Sequence, residues 1–290
     1  MGKNTLRQAV FHAAMTGKDP AGAEYSYLSL AATGQLAQEY DISGRLVELA
    51  ALETGIIPER YQRSIGTLGV AGQIRLLKST VGVLGAGGLG GFALELLARM
   101  GVGRLVVVDG DTFSDSNLNR QLLATEKNLE KPKAEAAAKR ISEVNGAVEI
   151  KVFNCYGDLS NLPEIFSDCD LVLDCLDNLT SRFDLEKVCS RLNIVMIHGA
   201  IAGFLGQLAV IRPDRPLLSS IYGSAGGKQI EKGAEVQLGN PASTPAMLAA
   251  WQCSEAVKVL AELDDILPAN KMLIIDMQSG ELYKIEVDSC

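Results

Sequence analysis

Ser79-Thr80-Val81-Gly82-Val83-Leu84-Gly85-Ala86-Gly87-Gly88-Leu89-Gly90 is a short apolar run ending in glycines, and residues Phe92 to Met100 then take the apolar spacing of a helix. A run this short and continuous is expected of a strand buried on both faces. The next run, Arg104-Leu105-Val106-Val107-Val108-Asp109, has the same character, so the segment predicts one βαβ unit. Within it, Gly85 to Gly90 form a G-x-G-x-x-G sequence between strand and helix. Gly85, Gly87, Gly88 and Gly90 there allow a tight turn and close backbone approach to phosphate, while the helix N-terminus adds amide donors and partial positive charge. Asp109, nineteen residues after Gly90, falls where a carboxylate would accept ribose hydroxyls. By themselves these features suit a nicotinamide enzyme equally well.

Working outward, strands are predicted at Glu149–Phe153, Leu171–Asp174, Ile194–Ile197, Gln207–Ile211, Met272–Asp276 and Leu282–Val287. Helical patterns lie at Lys133–Val144, Leu162–Phe166 and Arg182–Leu192, and at Met247–Leu263, the last packed through Leu248, Trp251, Val257 and Leu260. This alternation predicts a doubly wound, mainly parallel α/β sheet of Rossmann-like type. Pro213 to Pro241, rich in Gly, Ser and Pro, reads as an exposed loop. Residues 1–58, rich in Ala, Leu and Gly and broken at Lys18-Asp19-Pro20-Ala21-Gly22, are expected to form an N-terminal helical extension, and residues 59–290 the main domain.

The apolar fraction of 47% with 21% charged residues is that of a folded chain. A net charge of −8 disfavours nucleic acid or an anionic membrane as principal partner. No stretch approaches the roughly 20 apolar residues of a membrane span. The start lacks the apolar core and cleavage site of a signal peptide, so a cytoplasmic location is expected. The cysteines, scattered and without a C-x-x-C pair, point neither to a thiol-bound zinc nor to a disulfide framework, and most are expected to be buried small hydrophobes. His198 is expected to be a satisfied core histidine.

The segment Asp111-Thr112-Phe113-Ser114-Asp115-Ser116-Asn117-Leu118-Asn119-Arg120-Gln121 separates the possible readings. A dehydrogenase has no evident need for so polar a stretch beside the ribose, whereas a triphosphate requires cations around its outer phosphates. Arg120 and Lys133 are the candidates, Lys133 because it follows Pro132 at the start of a predicted helix over the same crevice. Asp177, just past the strand ending at Asp174, stands at the carboxyl edge where ligands bind in such sheets and could hold Mg2+. Asp174 could instead cap the following turn.

In combination, Arg60-Tyr61-Gln62-Arg63, the run Gly85 to Gly90, Asp109-Gly110-Asp111, Ser116 to Gln121, Lys133 and Leu176-Asp177-Asn178 resemble the ThiF/MoeB/HesA family, relatives of the enzymes that activate ubiquitin-like proteins. The resemblance runs from about Glu59 to Leu263. It implies a homodimer that uses ATP and Mg2+ to adenylate the C-terminal glycine of a small ubiquitin-fold sulfur-carrier protein ending in Gly-Gly. Carried over, Asp109 would bind the ribose with Asp111 beside it, Asn117 and Arg120 the phosphates, Lys133 the phosphates and transition-state charge, and Asp177 the metal. Arg63 would reach into the partner subunit's site. The two C-x-x-C pairs that hold a structural zinc in many members are missing, with Ser219-Ser220-Ile221-Tyr222 standing where the first would be, so zinc is not predicted. A tRNA-modifying cyclodehydratase of the same superfamily, an NAD-dependent oxidoreductase and a non-catalytic adaptor are the competing readings.

Overall fold

The computed structural model describes residues 3–19, 21–223 and 235–287. The chain opens with helix α1 (Lys3–Ala13), a hairpin of β1 (Met15–Lys18) and β2 (Glu24–Leu28), helices α2 (Leu30–Tyr40) and α3 (Gly44–Glu53), and a short strand β3 (Ile57–Pro58). The extension therefore holds helices as expected, but also a three-stranded sheet in the order β1-β2-β3 that was not expected. The break that begins at Lys18 falls where β1 ends and before β2 starts at Glu24, and the helices close over Val10, Leu28, Leu36, Val47 and Ala51 as a small core of their own.

Helix α4 (Gln62–Lys78), broken at Gly69, leads into β4 (Thr80–Leu84), α5 (Gly88–Met100), β5 (Arg104–Val108), α6 (Lys133–Val144) and β6 (Glu149–Phe153). Then come α7 (Leu162–Ile165), β7 (Leu171–Asp174), α8 (Leu179–Leu192), β8 (Val195–Ala202) and β9 (Leu205–Ile211). The chain ends with α9 (Leu218–Tyr222), α10 (Glu235–Leu238), α11 (Ser243–Ala261), β10 (Lys271–Asp276) and β11 (Glu281–Glu286). Part of the stretch read as one exposed loop is thus helical, and residues 224–234 of it lie outside the described residues, as does Cys290. Among the described residues, no helix is long and apolar enough to cross a membrane.

The large sheet has eight strands in the order β11-β10-β9-β8-β7-β4-β5-β6. Strands β8-β7-β4-β5-β6 are parallel, and β9, β10 and β11 add on antiparallel. The period-2 alternation of strands sorts the side chains between two cores. Val81, Val83, Leu105, Val107, Leu171 and Leu173 pack with α5, α6 and α11, while Leu84, Val106, Val108 and Val172 pack with α7 and α8. Strand β4 is buried at every position, as its unbroken apolar run predicts. In α11, Leu248, Val257 and Leu260 pack inward as expected, but Trp251 faces outward and is 36% exposed.

Two polar clusters join the extension to the main sheet. Glu149, the first residue of β6, accepts from Arg45 of α3 at 2.7 Å and from Arg104 of β5 at 3.0 Å. Tyr61, fully buried, donates its hydroxyl to the buried Glu48 of α3 at 2.9 Å and accepts from Asn145 at 3.0 Å. Its ring fills the space a Cβ on Gly101 would need, and Gly101 is the left-handed residue (φ 79°) that ends α5.

Candidate functional site

Strand order reverses at β4, which has β5 on one side and β7 on the other, so a crevice opens beyond their carboxyl ends. The register levels these ends: Leu84 pairs with Val108 and Asp174, Val108 with Phe153, and Asp174 with His198. One to three residues past that row, the chain lines a cavity of about 400 Å³ with Gly85, Asp109, Tyr156 and Asp177.

The glycines divide into two kinds. Gly85 has φ 96°, and a Cβ there would lie 2.7 Å from the carbonyl oxygen of Cys175, so the turn between β4 and α5 requires it. A Cβ on Gly90 would collide with the backbone carbonyl of Gly85, because α5 crosses directly over the end of β4. Gly87 and Gly88 line the cavity, and a Cβ on either would meet ordinary contacts, 3.5 Å from Gln121 and from Pro245. Helix α5 begins at Gly88 without a side-chain cap, so its first amide groups are available to an anion.

Asp109 accepts the backbone amide of Ala86 at 2.6 Å and that of Asp111 at 2.8 Å, one on each carboxylate oxygen. Burial pushes its pKa up, against the pull of those amides and of Lys133. Each oxygen keeps a lone pair for a hydroxyl donor. Lys133, the first residue of α6 and 6% exposed, donates through Nζ to Asp111 at 2.9 Å, and Tyr156 donates its hydroxyl to the same carboxylate at 2.8 Å. Burial works to raise the pKa of Asp111, but these donors outweigh it and hold the group below the usual carboxylate range. Arg120 lines the cavity from the outer side, with Nη1 donating to the Ser116 carbonyl at 3.1 Å and to Asn119 at 2.9 Å.

Asp177 stands exposed at the mouth of the cavity, followed by Asn178, whose side chain caps α8 by accepting from the Ser181 amide at 2.9 Å. Among the described residues no group of three or more His, Cys, Asp or Glu is arranged to hold a metal ion by itself. An exposed carboxylate at the mouth of a cavity with room for a polyphosphate is a donor set for a hard divalent ion shared with phosphate oxygens, so the residues present fit magnesium in that mode.

The structure thus brings Gly85, Gly87, Gly88, Asp109, Asp111, Arg120, Lys133 and Asp177 to one cavity, with Gly90 packed behind it. Two other residues singled out in the sequence stand elsewhere. Asn117 is buried and does not line the cavity; its Oδ1 accepts from the Ser114 amide at 3.1 Å, and its carbonyl accepts from the amides of Arg120 and Gln121. In this arrangement it shapes the turn that carries Arg120. Arg63 is exposed on α4 and is not part of the lining.

Sequence reading missed Tyr156, Arg182, Gln207 and Tyr222, all in the lining. Tyr156 follows the carboxyl end of a parallel strand, a position that could have flagged it; the other three carry no local signal. Asp174 accepts the Leu176 amide at 3.1 Å, the turn-capping role foreseen for it, and also faces His198. Cys175 lines the cavity but is buried, and burial pushes its thiol well up, as it does for Cys189 and Cys253. Where the first zinc-binding pair would stand, α9 is held by Glu186, whose Oε1 accepts the amides of Leu217 and Leu218 at 2.7 and 2.8 Å.

The ThiF family model matches residues 61–289. The chain is 41% identical over 169 residues to a SAMP-activating enzyme E1 of Haloferax volcanii, covering 58% of this chain and 63% of that enzyme. It is 32% identical over 235 residues to a molybdopterin-synthase adenylyltransferase of Haemophilus influenzae, covering 79% of this chain and 94% of that one. The solved structure of E. coli MccB with ATP superposes with a TM-score of 0.69 at 20% identity, covering 83% of this chain and 82% of that one.

Proposed function

The chain belongs to the ThiF family, and on that premise we propose that it is an ATP-dependent adenylyltransferase. Its second substrate is the C-terminal glycine carboxylate of a small ubiquitin-fold sulfur-carrier protein ending in Gly-Gly, and pyrophosphate is released. The names of the Haloferax and Haemophilus relatives, and of a sulfur carrier protein ThiS adenylyltransferase of Escherichia coli that is 30% identical over 226 residues, support this substrate class. The observation that carries the reading is the convergence of Lys133, Arg120, Asp109 and Asp177 on one cavity with the glycine turn. A nicotinamide enzyme would have use for the glycines and Asp109 alone.

In this reading Asp109 accepts the ribose hydroxyls and the amides at the start of α5 face the phosphates. Lys133 and Arg120 stand against the charge that gathers when one anion attacks another. Lys133 must then exchange its bond to Asp111 for a phosphate oxygen, and Tyr156 keeps Asp111 hydrogen-bonded when it does. Asp177 would hold magnesium, which neutralises phosphate charge and orients the α-phosphorus. No general base is needed, because a C-terminal carboxylate is already ionised at neutral pH. The working form in this reading is a homodimer in which Arg63, exposed on α4, completes the site of the second copy. Residues 1–58 act as an appendage to a main domain of 59–290, and the cytoplasm is the compartment in which it works.

ATP–pyrophosphate exchange with magnesium, in the presence of ubiquitin-fold proteins ending in Gly-Gly, tests the reading. Carrier-dependent exchange that disappears in Asp177→Ala is expected. Tight nucleotide binding without exchange under any carrier would overturn it.

A further inference from the structure

Asp174 and His198 form a buried pair that the adenylation chemistry leaves unused. They are register partners on the adjacent parallel strands β7 and β8, so their side chains emerge side by side on the same face of the sheet. Both are fully buried, and His198 Nδ1 lies 2.6 Å from Asp174 Oδ2. The other imidazole nitrogen, Nε2, lies 2.9 Å from the hydroxyl of Tyr222 on α9. That hydroxyl also stands 2.9 Å from Gln207 Oε1 and 3.5 Å from Arg182 Nη1. Tyr222, Gln207 and Arg182 line the cavity, whereas His198 and Asp174 do not. His198 therefore reaches the cavity through Tyr222.

A count of protons gives the chain a direction. Burial works against charge on Asp174, but Arg182, 4.0 Å away, and the bonds from His198 and the Leu176 amide hold its pKa down, while burial keeps His198 neutral. Nδ1–H then donates to Asp174, and Nε2 accepts the hydroxyl proton of Tyr222. A hydroxyl has one proton, so Gln207 must turn its carboxamide to present N–H to the Tyr222 oxygen. The phenol is thereby pinned as donor to one side and acceptor to the other.

Strand order shows which part of the cavity this serves. The residues suited to nucleotide follow β4 and β5 or begin α6, Asp177 follows β7, and Tyr222 stands with β8 and β9 on the far side of Asp177. There Ala200 and Ala202 offer methyl groups beside the amide of Gln207, and Ile201, Leu205 and Leu238 complete an apolar wall. Such a wall suits an extended peptide that has little or no side chain.

We propose that the buried Asp174–His198 pair is a positioning device for the acyl substrate: it fixes Tyr222 so that the phenol ring, with Ala200 and Ala202, forms a slot admitting a glycine tail to Asp177. This rests on the adenylation reading above and names what that site does with its second substrate. His198 is a positioning residue here, acting through Tyr222.

The test is a double-mutant cycle on the full-length protein, read by carrier-dependent ATP–pyrophosphate exchange and by calorimetric binding of the same carrier. Tyr222→Phe and His198→Asn each raise the KM and Kd for carrier roughly fivefold to tenfold, the scale of one lost hydrogen bond, and leave the KM for ATP unchanged. Their combination is no worse than either alone, because both break the same link. Tyr222→Ala admits a carrier altered to end in Gly-Ala, which the wild type rejects. Additive effects, a parallel rise in the KM for ATP, or equal rejection of the Gly-Ala carrier by Tyr222→Ala would overturn the inference. If His198→Asn fails to fold by circular dichroism, the Tyr222 variants decide it. Exchange by the wild type with an unchanged carrier KM in the variants sinks this inference alone, and no exchange by the wild type with any carrier sinks the adenylation reading with it.

Discussion

Lys133 is tied to Asp111 at both ends: its backbone amide donates to the Asp111 carbonyl at 2.9 Å, and its Nζ donates to the Asp111 carboxylate at 2.9 Å. The first bond sets where α6 begins and the second aims the ammonium group along the cavity wall. A lysine at the start of a helix would ordinarily extend into water. Here the side chain is 8% exposed while its carboxylate partner is 49% exposed, so the cation is the sheltered member of the pair.

Lys133→Ala therefore separates function from stability. Exchange should fall by about a hundredfold or more, the scale of removing a fixed transition-state donor. The lost ion pair is half open to water and contributes about 1 kcal/mol or less, so the variant stays folded. Without its lysine the Asp111 carboxyl titrates higher, which carboxyl-carbon NMR would register. Full activity in this variant would remove Lys133 from the mechanism.

The two kinds of glycine predict opposite phenotypes. Gly90→Ala drives a methyl group into the Gly85 carbonyl and should cost on the order of 3 kcal/mol or more, read as a lower urea midpoint. Gly87→Ala meets only ordinary contacts and should leave the midpoint nearly unchanged while raising the KM for ATP. Equal urea midpoints for the two variants would contradict the account of the turn.

Glu149 ties the extension to the sheet through Arg45 and Arg104; burial works to raise its pKa, but these bonds outweigh it and hold the carboxyl below the usual carboxylate range. A carboxylate with a lowered folded pKa contributes stability above its unfolded pKa and loses it as pH falls through the folded value. Glu149→Gln should therefore cost about 1 kcal/mol at neutral pH, given its partial exposure. Below pH 4.5 the gap to wild type should close as acid protonates the glutamate. A gap that is flat across the acid range would mean that packing, not charge, does the joining.

Arg63 makes the oligomer testable. Arg63→Ala should lose exchange while remaining folded, since the side chain is exposed. Mixing it with Lys133→Ala should restore part of the activity, because a mixed dimer holds one site with a good Lys133 and an Arg63 from the other copy. Unrescued mixtures would place the role of Arg63 within its own subunit.

Much of the side of the cavity proposed for nucleotide was legible in advance because its signals are local. The glycine turn, the apolar runs flanking it, Asp109 at the end of β5 and Lys133 behind Pro132 each follow from a few adjacent residues. The N-terminal hairpin was not legible: Met15–Lys18 is exposed and shows no apolar alternation, and in Glu24–Leu28 the alternation of Tyr25 and Tyr27 with polar residues is too short to mark a strand. Strand β8 was read as ending at Ile197 but continues to Ala202, because β9 folds back on it around Gly203 (φ 58°) and prolongs the ladder. Asn117 was assigned to the phosphates by resemblance alone, and its bond to the Ser114 amide, which closes a turn, shows only in the folded chain.

The sequence by itself determined the parallel core, the place of the glycine turn and some of the residues gathered around it, since backbone propensity and burial pattern act over a few residues at a time. The tertiary structure alone decided which distant residues meet. Asp174 and His198 become neighbours through strand register, and Tyr222 joins them through α9, which Glu186 holds in place. The physical reason is that hydrogen bonds of this kind are set by the alignment of separate strands, and alignment is a property of the packed sheet and not of any one stretch of chain.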